Sequence, residues 1–156
     1  MRTTFLILHN IRSVHNVGAI FRTADAAGVD KIFLTGYTPT PVDRFGRART
    51  DLKKTALGAE KSVAWKYEKD LSPLLKKLKM EGYEIIAMEQ SKNSVDYKKI
   101  KVKEKIAIVV GNEVDGLSEE ILTDCDIVAE IKMRGGKESP NVSVATGIAL
   151  FRMLNL

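Results

Sequence analysis

The stretch FLILHNIRSVHNVGAIFRTADAAGVDKIFLTG, residues 5 to 36, sets the fold class. Phe5 to Leu8 is a short continuous apolar run, the pattern of a strand buried on both faces. Val17, Ile20, Phe21, Ala24 and Ala27 then recur at helical spacing, and Gly28 stops the helix. Lys31 to Gly36 reads as a second strand. Strand, helix and strand in so short a span form a βαβ unit, so the two strands run parallel.

The alternation continues outward from that unit. Pro73 to Glu81 reads as a helix that begins after Ser72 and is stopped by Gly82, and Glu84 to Met88 as a strand. Lys105 to Val110 is the clearest buried strand, Leu117 to Leu122 a short helix, Ile127 to Ile131 a strand, and Asn141 to Leu154 a closing helix. The expectation is an α/β fold with a mostly parallel sheet flanked by helices. No repeat, low-complexity tract or linker divides residues 1–156, so they read as a single domain.

Composition narrows the class. The apolar share is 44% and the charged share 29%, the balance of a globular protein. Cys125 is the only cysteine, which leaves no intrachain disulfide and no thiolate metal cluster. No apolar run reaches the length of a signal-peptide core or a membrane span, so the expected setting is cytoplasmic, without a membrane partner. The formal charge of +5 favours polyanionic partners. Arg44, Arg47, Arg49, Lys53 and Lys54 fall in one expected loop, which Pro39, Pro41 and Gly46 would keep open. Its arginines are the expected RNA contacts, because the guanidinium fork matches phosphate oxygens. The run Lys98, Lys99, Lys101, Lys103 and Lys105 reads as a solvated surface.

Two helices carry a hint of self-association. Gly18, Ala19, Ala26 and Arg22 lie opposite the core stripe of the first helix, where an ordinary surface helix would carry several Lys or Glu. Val142, Val144, Ala145, Ile148, Ala149, Leu150, Phe151 and Met153 cover almost the whole last helix. One helix apolar all round in so short a chain points to a homodimer.

In parallel α/β sheets, ligands gather outside the carboxyl ends of the strands. Three such ends are rich in glycine and polar residues: Thr35-Gly36, Gly111 to Gly116, and Met133 to Ser143. Several familiar sites are absent. No G-x-G-x-x-G follows the first strand, and there is no G-x-x-x-x-G-K-[ST] or G-x-S-x-G. His9 and His15 have no partners at zinc spacing. At Ser139-Pro140-Asn141, Ser suits a helix N-cap and Pro the first helical position. Asn16 reads equally as a cap, Glu113 as a turn carboxylate and Asn141 as a first-turn polar residue.

Three segments together resemble the SpoU class of the SPOUT superfamily, the RNA ribose 2′-O-methyltransferases. Asn16 through Arg22-Thr-Ala24 matches N-x-x-[AS]-x-x-R-T-A. Ile108 through Glu113 to Gly116-Leu117 matches [LIV]-x-G-x-E-x-x-G-[LIV]. Ile131-Lys-Met133 and Ser139-Pro-Asn141-Val-Ser143-Val-Ala145 match I-P-M followed by S-L-N-V-S-[VN]-A. Lys132 and Pro140 depart from the pattern, which usually has Pro and Leu there. A proline at 140 has no N–H to donate.

The resemblance implies a SPOUT fold with a deep C-terminal trefoil knot, a homodimer, and S-adenosylmethionine bound within the knot without a metal. It implies cofactor contacts at Met88, Gly111, Ile131, Ser139 and Pro140. Around the reacting ribose it implies Asn16, Arg22, Glu113, Ser139 and Asn141, with Arg22 as the family's usual candidate for proton removal. A guanidinium stays protonated at neutral pH, which favours Arg22 as a clamp on phosphate and on developing alkoxide charge. The implied substrate is tRNA or rRNA, and the lean chain suits tRNA. Two other functions fit the same fold. A non-catalytic RNA-binding or assembly factor would lose the arginine or the cofactor loops, and both are present. A small-molecule methyltransferase would turn over donor without RNA.

Overall fold

The computed structural model describes residues 1–156. In chain order the elements are β1 Thr3–His9, α1 Val14–Ala26, β2 Lys31–Thr35, α2 Thr50–Ala56, α3 Ala59–Ser62, β3 Ala64–Glu68 and α4 Leu71–Met80. Then follow β4 Glu84–Met88, β5 Val95–Asp96, a 3₁₀ turn at Tyr97–Lys99, β6 Lys105–Val110, α5 Glu119–Thr123, β7 Ile127–Glu130 and α6 Val142–Leu154. The seven strands form one sheet in the order β3-β2-β1-β6-β4-β7-β5, and every pairing is parallel. The α/β class and the parallel sheet follow the sequence reading.

Strand alternation divides the core into two layers. Leu6, Leu8, Ile106, Ile108 and Val110 face the layer built with α1, α2, α3 and α6. Ile7, Ala107 and Val109 face the other, where α4 and α5 supply Leu71, Leu74, Leu75, Leu78 and Leu122. The central strands are therefore apolar on both faces, which is why β1 and β6 read as unbroken runs. Gly28 ends α1 in a left-handed conformation, φ +68°, as its position predicts.

The basic stretch expected to be one loop becomes α2 from Thr50 onward, with Lys53 and Lys54 in its last turn and Arg49 at its N-cap position. The remainder, with Arg44 and Arg47, is closed rather than open. An antiparallel bridge joins Val42 to Ala48, and Asp43 accepts the N–H groups of Phe45 and Arg47 at 2.8 and 3.0 Å. Ser13, not Asn16, caps α1, accepting the Asn16 N–H at 3.2 Å. Asn141, not Ser139, caps α6, since its side chain accepts from the N–H groups of Ser143 and Val144.

Gly18 does not face solvent or a partner. It is buried where α2 crosses α1, and a Cβ there would collide with Thr55 Oγ1 and meet the Leu52 carbonyl at 2.6 Å. Thr55 can rotate away; the α2 backbone cannot. The outer faces that remain are Ala19, Arg22, Thr23 and Ala26 of α1, beside α6. On α6 itself, Val144, Ile148 and Phe151 are exposed.

Replacing Gly18 by Val is expected to lower unfolding stability by about 1–3 kcal/mol, the range of an overpacked contact. Valine and glycine differ little in helix propensity on that scale. A urea denaturation midpoint equal to wild type would contradict the close α1–α2 approach.

Candidate active site

A cleft of about 230 Å³ lies beyond the carboxyl ends of β4, β6 and β7. Its apolar walls include Met88, Ile131, Val142 and Ala145. Of the cofactor residues named from sequence, Met88, Gly111, Ile131, Ser139 and Pro140 all line it. Glu113 and Asn141 line it as well; Asn16 and Arg22 do not.

The charge of the lining is one-sided. Glu89, Glu113, Asp115 and Glu130 contribute to the walls, and no lysine or arginine does. In a chain of formal charge +5 this is a local inversion of sign. Such a site repels phosphate and attracts a cation.

The loop from Gly111 to Gly116 is held from both sides. Asn112 is buried, and its Oδ1 accepts the N–H groups of Val114 and Asp115, each at 2.8 Å. Its Nδ2 donates to the Asn10 carbonyl at 3.0 Å and to the Tyr37 hydroxyl. From the other side, the Glu89 carboxylate accepts the Leu117 N–H at 2.8 Å. Gly116 adopts φ +65°, and any Cβ there would strike that carboxylate. Glu89 and Asn112 were not among the residues singled out from sequence. A glutamate one residue past a strand and an asparagine within a turn carry no distinctive pattern.

Glu113 closes the site against α1. Its two oxygens accept the N–H groups of Arg12 and Ser13, each at 3.1 Å, and the Asn16 amide at 3.4 Å. Asn16 in turn accepts from the Asn141 amide at 3.3 Å. Glu113, Asn16 and Asn141 thus form one chain of hydrogen bonds linking the β6 loop, α1 and the start of α6. Burial alone would raise the Glu113 pKa, but the N–H groups of Arg12 and Ser13, its own N–H and the Asn16 amide outweigh it. The net shift is downward. Glu113 is therefore a fixed anion at neutral pH and a poor proton acceptor.

Arg22 stands apart. It is exposed on α1, forms no ion pair in the chain, and lines a shallow hollow with Lys54, Thr55 and Phe151. The sequence reading gathers it with Asn16, Glu113, Ser139 and Asn141; a single copy of the chain does not. Of the three loop arginines, Arg49 is held in a two-point pair with Asp51 and Arg47 pairs with Asp43, while Arg44 has no acidic partner. No three His, Cys, Asp or Glu side chains stand close enough together to hold a metal ion. No helix is long and apolar enough to cross a membrane. The lone thiol, Cys125, is half-buried, and burial pushes its pKa up to about 11.

Glu113→Gln is expected to lower stability at pH 7 by roughly 1–3 kcal/mol, since hydrogen bonds to a charged acceptor are lost. Because the folded-state pKa is depressed, the wild-type advantage is complete above the ordinary glutamate pKa of roughly 4.3. It shrinks as pH falls below that value and through the folded one. Chemical denaturation of both proteins between pH 7 and pH 3 checks this; a difference that is constant with pH contradicts it.

Comparison with known proteins is consistent with this geometry. The profile of the SpoU rRNA Methylase family matches residues 3–151. The chain is 35% identical over 146 residues to the Escherichia coli 23S rRNA (guanosine-2′-O-)-methyltransferase RlmB, covering 94% of this chain and 57% of that one. The Salmonella typhi enzyme of the same name is also 35% identical, over 96% of this chain and 59% of its own length. The chain thus spans little more than half of these relatives. Among solved structures, the AdoMet-bound rRNA methyltransferase from Sinorhizobium meliloti superposes with a TM-score of 0.88 at 28% identity, covering 98% of this chain and 56% of that one. The A. aeolicus TrmH/SpoU tRNA modifying enzyme gives 0.86 at 30%, covering 99% and 75%. A match running through nearly every element, together with a cleft walled by the segments that carry the family's motifs, leads to one conclusion: the chain belongs to the SpoU rRNA methylase family.

Proposed function

We propose that the protein methylates a ribose 2′-hydroxyl of RNA, using S-adenosylmethionine and acting as a homodimer. The observation that carries the reading is the acid-only cleft at the strand ends, in a chain whose family relatives include an AdoMet-bound structure. A sulfonium cation suits four carboxylates and no basic side chain; a nucleotide phosphate does not. Met88, Gly111, Ile131, Ser139 and Pro140 would hold the donor, with Pro140 contributing contact and no N–H. When bound, the donor supplies a methyl group already activated by its sulfonium and leaves as a neutral thioether.

The chain's own residues have two tasks, alignment and handling of the hydroxyl proton. Alignment of reacting groups can lower a barrier by about 7–11 kcal/mol. Glu113, Asn16 and Asn141 act here as positioning residues, since their hydrogen bonds fix the cleft wall. Ser139, which lines the cleft, orients the ribose in this reading. Arg22 belongs to the second copy's contribution. It lies beside the exposed Phe151, on the face where Val144 and Ile148 also stand uncovered. Pairing two copies across this face buries that apolar surface and carries Arg22 to the partner's cleft. There it clamps the backbone phosphate and the developing alkoxide.

Arg44, Arg47 and Arg49, all outside the cleft, serve the RNA backbone; of the three, Arg44 alone has no acidic partner. Residues 1–156 then form one SPOUT domain with a C-terminal trefoil knot; residues 111–116 and 139–141 line the same cleft. An RNA substrate and a free thiol favour a cytoplasmic setting. Of the two RNA classes, tRNA is the one we favour.

Two outcomes test the reading. Titration of S-adenosylmethionine into wild-type protein is expected to give saturable heat, and total RNA with labelled donor is expected to acquire a 2′-O-methyl mark located by mass spectrometry. Arg22→Ala should lower turnover by on the order of 10²–10³-fold, the cost of removing one charge-stabilising group, with donor affinity unchanged. Wild-type turnover in that variant would remove Arg22 from the chemistry. Separately, Ile148→Glu should convert dimer to monomer by light scattering; a wild-type protein that is monomeric at all concentrations would overturn the dimer.

A further inference from the structure

A second hollow lies between the β2–α2 loop and β3, and we propose that it binds an unpaired nucleobase of the RNA, next to the nucleotide being methylated. The proposal rests on the RNA-substrate reading above and adds a subsite to it.

The hollow concentrates aromatic surface. The chain has one Trp, four Tyr and five Phe. Trp65, Tyr37, Tyr67 and Phe45 all line this one depression. Three of these rings are largely exposed: Tyr37 at 57%, Tyr67 at 45% and Phe45 at 66%. Two of them are held by their hydroxyl edges, and the third by stacked cations. The Tyr37 hydroxyl is held by the Asn112 amide, and the Tyr67 hydroxyl donates to the Gly36 carbonyl at 2.9 Å. Phe45 sits within cation–π distance of two guanidiniums, Arg44 at 4.8 Å and Arg47 at 5.0 Å from the ring centroid. Rings fixed before a ligand arrives lose little side-chain entropy when it stacks on them.

Charge indicates which flat ligand fits. Arg47 neutralises the one acid in the lining, Asp43, through a 2.9 Å pair, and Arg44 remains without an acidic partner on the rim. An aromatic platform edged by a free guanidinium matches a base with its phosphodiester; bases stack on aromatic rings and on arginine planes alike. Placement indicates which base. Asn112 lines the donor cleft and also holds the ring of Tyr37, so cleft and hollow share a wall. A nucleotide flanking the one in the cleft would come to this wall.

Trp65, the only tryptophan, reports on the hollow directly. The probes are a short unstructured oligoadenylate and an abasic oligomer of equal length, with affinity followed by displacement of a dye-labelled strand. Oligoadenylate is expected to quench Trp65 emission, and the abasic strand to bind more weakly without quenching. Phe45→Ala should weaken oligoadenylate binding by about tenfold, the order of one lost stacking contact, and leave abasic binding unchanged. Arg44→Ala should weaken both. Thermal melts by circular dichroism confirm that these exposed substitutions leave the fold intact. Equal quenching by the abasic strand, or unaltered oligoadenylate affinity in Phe45→Ala, overturns the proposal. Methylation of RNA without Trp65 quenching overturns the subsite and leaves the enzymatic reading standing. Quenching without any RNA methylation supports the subsite and counts against the enzymatic reading.

Discussion

The carboxylate of Glu113 ties together parts of the chain about a hundred residues apart. It accepts the backbone N–H groups of Arg12 and Ser13 at the start of α1 while standing on the loop that leaves β6. The N–H groups of the N-cap residue Ser13 and of Arg12 before it are thereby met by a full negative charge, where the helix dipole favours one. Through Asn16 the same carboxylate reaches Asn141, the cap of α6. The cleft has its floor at the end of β6 and one wall at residues 139–142. Its shape depends on those two segments keeping their distance from α1.

Charge is segregated around that frame. The cleft wall carries only acids, while Arg22, Arg44 and Arg47 lie outside it. The cleft thus favours a cation, and the arginine-bearing surfaces around it favour a polyanion. The depressed pKa of Glu113 keeps part of the acidic wall ionised at neutral pH.

What could be read from sequence follows burial. β1, β2, β4, β6 and β7 are central or near-central strands whose apolar runs announce themselves, and α1 and α6 carry long stripes. β3 has only partly covered or exposed side chains, pairs on one side alone, and so shows no apolar run. β5 is two residues long and carries no period at all. α2 was hidden because Lys53, Lys54 and Thr55 dominate its seven residues; only Leu52 and Ala56 are buried. The cleft residues were found because their motifs sit at strand ends. Glu89 and Asn112 escaped because their importance lies in hydrogen bonds to distant backbone. The two helix caps were misassigned by two or three residues, since Ser, Asn and Asp are near-equal candidates until the backbone chooses.

The strand order has a consequence for how the molecule is made. β1 pairs with β2, the next strand in the chain, while its other edge pairs with the distant β6, with Thr3 opposite Lys105. Until the ribosome has delivered that later segment, an apolar strand stands with a whole row of peptide groups unmet, a template for pairing with any stray chain. Such distant pairing is also slow, because loop closure must precede the contacts that reward it. Yield in a cell should therefore be governed by the interval between translating residue 9 and residue 110, and less by the stability of the finished sheet.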